Sequence, residues 1–205
     1  MKKVFLTIVA CAFSFVGAYA QNSDVERANQ LTKAEQFKAN NSFVKESTIY
    51  TDKNSGLKLF AKLFTNLKSG EQLAALEFWP TVGNLLLAGG VPGPLGYLDM
   101  DQVDDLLLAL ETILAESNKT DKKENYTITY SAPGGIDVLY YNNYMATGSV
   151  GLVVFRKKWF KLDEYGVQTS VYSEASTNCP VKVLPKLIDS IKEAQTIANQ
   201  ALEKK

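Results

Sequence analysis

Residues 97–117 read YLDMDQVDDLLLALETILAES, and the reading of this stretch decides the fold. Val103, Leu106, Leu107, Leu110, Ile113 and Leu114 recur at spacings of three and four, which lines one face of an α-helix. Leu108 lies outside that stripe. Asp99 stands where a side chain accepts from the free N–H groups of the first turn, Gln102 completes a capping box, and Leu98 with Val103 supplies a hydrophobic staple. The sequence therefore predicts a helix starting near Met100. Its apolar face needs a partner surface, and the rest of the chain is read by asking what supplies it.

Upstream, residues 43–50 are rich in β-branched and aromatic side chains and predict a first strand. The cluster DKNSG at 52–56 turns the chain, and LKLFAKLFTN at 57–66 alternates strictly. Leu57, Leu59, Ala61 and Leu63 share one face; Lys58, Phe60, Lys62 and Phe64 share the other. A second turn at 68–71 leads to a third strand at 73–79, which Pro80 ends. The face holding Phe60, Phe64 and Trp79 is too aromatic to stand in water, so another element is expected to cover it. Between Pro80 and Leu98 the chain is oily and rich in Gly and Pro. It predicts a strand at 82–87 followed by a packed loop, with an apolar lip for a ligand as the functional alternative. Its glycines lack the spacing and the Lys-Ser/Thr pair of a phosphate-binding loop.

Downstream, 126–131 and 136–141 flank Ala132-Pro133-Gly134-Gly135, a hairpin signal. Further strands are expected at 149–155, 159–162 and 167–172. Residues 179–185 are extended, and Pro185 opens a final helix whose Leu187, Ile188, Ile191, Ala194, Ala198, Ala201 and Leu202 form a stripe. Laid over one another with an offset of 81 residues, the two helical regions match Leu98 with Cys179, Met100 with Val181, Val103 with Leu184, Leu106 with Leu187, Leu107 with Ile188 and Leu110 with Ile191. The expected class is α+β: antiparallel meander strands in two runs, each followed by an amphipathic helix packing on the sheet, with a hint of duplication. Residues 42–205 are expected to form a single domain with halves at 42–117 and 125–205. Residues 21–41 read as a polar, partly mobile leader with a short helix at 33–38, capped by Thr32 and Glu35 and held by Phe37 and Leu31.

The first 20 residues read as a cleaved signal peptide: Lys2 and Lys3, an apolar run at 4–16, then Ala18-Tyr19-Ala20. Cys11 lies inside the apolar run rather than at its end, which disfavours a lipoprotein. Export to the periplasm or beyond the cell is the expectation. Of 22 basic and 22 acidic residues, removal of Lys2 and Lys3 leaves 20 against 22, a net charge of −2. That balance gives no reason to expect nucleic acid as a partner, and no later apolar run is long enough to span a membrane as a helix. One cysteine, Cys179, follows the leader, so an internal disulfide is excluded. It is read as a buried small hydrophobe, with a reactive free thiol or a bridge joining a homodimer as the alternatives.

The chain has no histidine, which removes Ser-His-Asp and Cys-His nucleophile systems and histidine-bearing metal and haem sites. No cofactor or metal is expected. Asp99, Asp101, Asp104 and Asp105 fit a helix start better than a calcium loop, whose sixth position needs a turn glycine. Glu46, Glu77, Asp137 and Glu174 are the carboxylates in or near strands that a histidine-free enzyme would use in pairs. Two surface features point instead to binding of a protein or glycan. Tyr126, Tyr130, Tyr140, Tyr141 and Tyr144 cluster on one hairpin, and Arg156, Lys158 and Trp159 mix cations with an aromatic ring. The first expectation is an exported, non-catalytic binding module using this Tyr-rich sheet surface. The alternatives are a small carboxylate enzyme or carrier with an apolar pocket, and a structural envelope component.

Overall fold

The computed structural model describes residues 30–52, 57–80, 94–119, 124–145, 148–162 and 168–204, excluding the side chains at 144, 145, 148–150, 158–162 and 168–175. The leader at 1–20 and the strand expected at 82–87 lie outside these residues. The fold is α+β, with two antiparallel four-stranded sheets each followed by a helix. The first sheet contains β1 (Val44–Asp52), β2 (Leu57–Asn66), β3 (Gln72–Pro80) and β4 (Gly96–Asp99), in that order across the sheet. A short helix α1 (Lys33–Asn40) precedes it, and a single 3₁₀ turn, Met100–Gln102, leads from it into α2 (Val103–Ser117). The second sheet contains β5 (Tyr126–Ser131), β6 (Ile136–Met145), β7 (Gly148–Leu162) and β8 (Gln168–Pro180), again in chain order. A second 3₁₀ turn, Val181–Val183, leads into α3 (Leu184–Glu203). Both sheets thus end in a 3₁₀ turn and a helix, and the matching boundaries are 81 residues apart.

The predicted stripe of α2 is buried at Val103, Leu106, Leu107, Leu110 and Ile113, while Leu108 is 65% exposed. The third strand pairs with β4, which residue preferences at 96–99 did not announce, and the strand pieces expected at 149–155 and 159–162 are one continuous β7. Parity explains the core. Leu57, Leu59 and Ala61 of β2 face inward with Leu76 and Phe78 of β3. In the second sheet Ile136, Val138, Tyr140, Val153, Phe155 and Cys179 do the same, and the two sets join one core with both long helices. Phe78 stacks on Phe155 with centroids 6.3 Å apart. The helices cross between the halves: α3 lies over β1, β2 and β3, whereas α2 packs beside α3 and reaches β5.

The outer face of the first sheet is covered around Phe64, while Phe60 and Trp79 pack on each other and stay half-buried. Helix α1 lies over it, with Ala34 and Phe37 packed on Phe64 and Ala75 and with Tyr97 alongside. Phe37 holds this helix, but Leu31 does not: it is 54% exposed. The capping box forms in full, with Glu35 N–H donating to Thr32 Oγ1 and Thr32 N–H to Glu35 Oε2. The remaining free donors, Lys33 N–H and Ala34 N–H, bond at 2.7 and 3.2 Å to the carboxylate of Asp99. Asp99 therefore caps α1 rather than its own helix, to which it makes no side-chain cap bond. The reason is the 3₁₀ turn, which moves the α-helical start to Val103 and leaves Asp99 on β4, directed at α1.

Candidate functional site

The inward rows of the second sheet are apolar and buried, so its chemistry is decided by the opposite face. Strand pairing sets three rows there. Thr129, Leu139, Val154 and Asn178 form one; Thr127, Tyr141, Leu152 and Pro180 a second; Ser131, Asp137, Arg156 and Ser176 a third. Leu139 is buried, Tyr141, Leu152 and Val154 are half-buried, and Thr127, Thr129 and Asn178 are exposed. None of these apolar residues belongs to the main core. They make a separate strip, two rows deep, rimmed by hydroxyl and amide groups.

At one end of the strip the Asp137 carboxylate, almost fully buried, is held by Arg156, whose Nη2 and Nε donate to Oδ2 at 3.1 and 3.2 Å. The guanidinium neutralises a charge that burial would otherwise make costly. Arg156 is thereby tied to Asp137, with its side chain 28% exposed.

The predicted tyrosine cluster is divided by the same parity. Tyr140 is fully buried, with its ring 6.1 Å from that of Tyr126, and so leaves the exposed surface on which sequence reasoning put it. Tyr126 and Tyr130 are half-buried against the core, and Tyr126 Oη approaches Glu116 at 3.5 Å. Gly151 lies on the same face as Tyr140, two residues before Val153, and a Cβ there would meet the Tyr140 ring at 2.8 Å. Only Tyr141 of the described members stands on the outer face. The side chains of Tyr144, Lys158, Trp159 and Glu174 lie outside the described residues.

Cys179 is free and fully buried, and desolvation pushes its thiol up to about 11. A covalent bridge to a second copy is out of its reach in the folded state. Three of the four aspartates near α2 go to different partners: Asp99 to α1, Asp101 to Lys33 at 2.7 Å, Asp104 to Gln195 of α3 at 2.8 Å. Among the described residues no group of three or more acidic or thiol side chains could hold a metal ion.

Two of the candidate carboxylates, Glu46 and Glu77, meet in a polar cluster on the outer face of the first sheet, and sequence reasoning missed the lysines that join them. Lys62 bonds Glu46 at 3.1 Å and Glu77 at 3.3 Å; Lys38 bonds Glu46 at 3.3 Å and Tyr97 Oη at 3.2 Å. Burial opposes the charge on Lys62, but the two carboxylates outweigh it and raise its pKa. Burial pushes the Glu46 carboxyl up while the two lysines pull it down, and the lysines prevail. Phe60 packs edge-on to Trp79, and Lys62 lies 5.5 Å above the Phe60 ring. The signal was available in the alternation of β2, which puts Lys62 between two aromatic neighbours on the covered face. These carboxylates are committed to lysines, which suits a structural belt under α1 more than paired acid-base work.

No protein-family model, curated protein or solved structure matches the chain. Among the described residues no helix is long and apolar enough to cross a membrane.

Proposed function

We propose that this is an exported, non-catalytic binding protein that engages a protein partner through the outer face of its second sheet. One observation carries the reading: Leu139, Tyr141, Leu152 and Val154 form an apolar strip separate from the core, whereas the corresponding face of the first sheet is roofed by α1. An apolar centre with a polar rim is the anatomy of a protein interface. Aliphatic side chains in the strip favour a protein over a glycan, which needs flat aromatic faces and free polar groups. The leader at 1–20 supports delivery to the periplasm or beyond. The test compares wild type with Tyr141→Ala/Val154→Glu, immobilised and incubated with envelope extract. A partner that wild type retains and the variant loses, at unchanged melting temperature, supports the reading. Equal retention by both refutes it, and glycan-array binding that survives the substitution redirects it to another surface.

A further inference from the structure

Helix α1 is fastened to the first sheet through a small apolar cluster set apart from the main core. Its buried residues, Ala34 and Phe37, pack on Phe64 and Ala75, with Val44, Leu73 and Tyr97 at the margin. Among the described residues none of α1 belongs to the core that α2 and α3 share with both sheets. Two of its polar fastenings, Lys33 to Asp101 at 2.7 Å and Lys38 to Glu46 at 3.3 Å, join groups that stay largely in water, and such pairs hold little. The stronger fastening is the Asp99 carboxylate, which accepts from the first two N–H groups of the helix. Eight residues do not persist as a helix alone in water, so leaving the sheet and unwinding are one event. That event uncovers a four-residue cluster and leaves the main core as it was, so it costs a fraction of global unfolding.

The groove beneath α1 is specified in both shape and charge. Phe64 and Ala75 form its floor and Tyr97 its margin, while Asp99, Asp101 and Glu46 supply carboxylates where α1 brings its N–H groups, Lys33 and Lys38. We propose that α1 is a strap that opens as one unit while the rest of the fold stays intact, and that the groove then accepts a short basic amphipathic helix of another polypeptide in its place. Charge complementarity specifies that occupant. The N–H groups at its start meet Asp99, a lysine there meets Asp101, and a lysine five residues on meets Glu46. An alanine and an aromatic residue three apart fill the space over Phe64 and Ala75. Tethered α1 competes at an effective concentration on the order of 1 mM, which makes the strap autoinhibitory. The groove lies on the first sheet, so it stands or falls independently of the strip around Tyr141.

The test uses the full chain carrying Phe37→Asp, which disables its own strap, and a labelled synthetic peptide of residues 30–43 as the helix, read by fluorescence anisotropy. The variant is expected to keep a cooperative melt and the amide protection of α2. It should bind the peptide roughly 100-fold more tightly than wild type, whose tethered α1 competes. A peptide carrying Phe37→Asp should not bind, and one carrying Lys33→Glu/Lys38→Glu should bind about tenfold more weakly. In wild type, amides 36–40 should exchange as a group, with protection about tenfold or more below that of α2. Loss of the cooperative melt in the Phe37→Asp chain overturns the inference, since the rest of the fold would then depend on the strap. A folded variant that binds the peptide no better than wild type overturns it too, as does equal binding of the Phe37→Asp peptide. Binding that the lysine reversal leaves unchanged, or protection at 36–40 equal to that of α2, overturns it equally.

Discussion

Asp99→Ala separates a cap within one helix from a cap donated to another. In the folded protein the Asp99 carboxylate, 3% exposed, accepts from Lys33 N–H at 2.7 Å and Ala34 N–H at 3.2 Å. Its removal leaves two donors at the start of α1 without their partner. A lost capping side chain costs about 0.5–2 kcal/mol, and hydrogen bonds to a charged acceptor contribute about 1.5–3 kcal/mol each before desolvation is counted. Burial pushes the Asp99 carboxyl above its ordinary range, against the pull of the two N–H groups, so its ionised form is already penalised and the lower part of the range applies. The expected loss is about 2 kcal/mol, or roughly 4–8 °C in melting temperature for a domain of this size. Hydrogen exchange locates the damage: amides of α1 should lose protection while those of α2 keep theirs. Protection lost at 101–104 with α1 unchanged would refute the reasoning and restore the local cap that the sequence suggests. The pH dependence has a definite sign. The folded carboxyl holds its proton to higher pH than the unfolded one, so its contribution is greatest below the ordinary aspartate range and declines as pH rises through the raised value. The advantage of wild type over Asp99→Asn should shrink from acid to neutral pH.

Three other outcomes follow from burial and pairing. Leu107→Ala should cost about 2–5 kcal/mol in chemical denaturation because the side chain is buried on the core face of α2, whereas the exposed Leu108→Ala should leave the midpoint unchanged. Lys62→Met strands the buried Glu77 carboxylate and should cost about 3 kcal/mol, much of it recovered in Lys62→Met/Glu77→Met; a single variant as stable as wild type would show that the pair contributes nothing. Cys179, buried with its thiol near 11, should react with a thiol-specific reagent only at the rate of global opening and give one monomer band on non-reducing electrophoresis; rapid labelling of native protein would place the sulfur at the surface.

Much of the architecture was legible because it is written in periodicity. The stripes of α2 and α3, the alternation of β2 and the APGG hairpin each specify a local structure that the fold adopts. β4 was not legible, since Gly96 to Asp99 owes its extended form to pairing with Ala75–Phe78 rather than to its own preferences. The same limit explains Asp99 and the tyrosines. A capping motif records that an acceptor is present but not which helix end will reach it in space. A row of tyrosines records an affinity for strands, and parity then sends Tyr140 inward and Tyr141 outward from adjacent positions. The apolar strip was half visible: Tyr141 was singled out, while Leu139, Leu152 and Val154 read as ordinary strand residues until the register set them in neighbouring rows.

The repeated order of elements makes the differences between the two sheets informative. Among the described residues the first sheet is covered on both faces. Its inner face lies under α3, which comes from the other half; its outer face lies under α1, fixed there by Asp99; its β1 edge is charged and irregular. The second sheet shares the core on its inner face but has no counterpart of α1 among the described residues. In the first half, covering the sheet required a lysine-carboxylate belt, a full capping box and an aspartate donated across the sheet, each of which restricts the sequence. Among the described residues the second half shows no such devices, and this contrast is what motivates the proposal of a partner on its apolar strip.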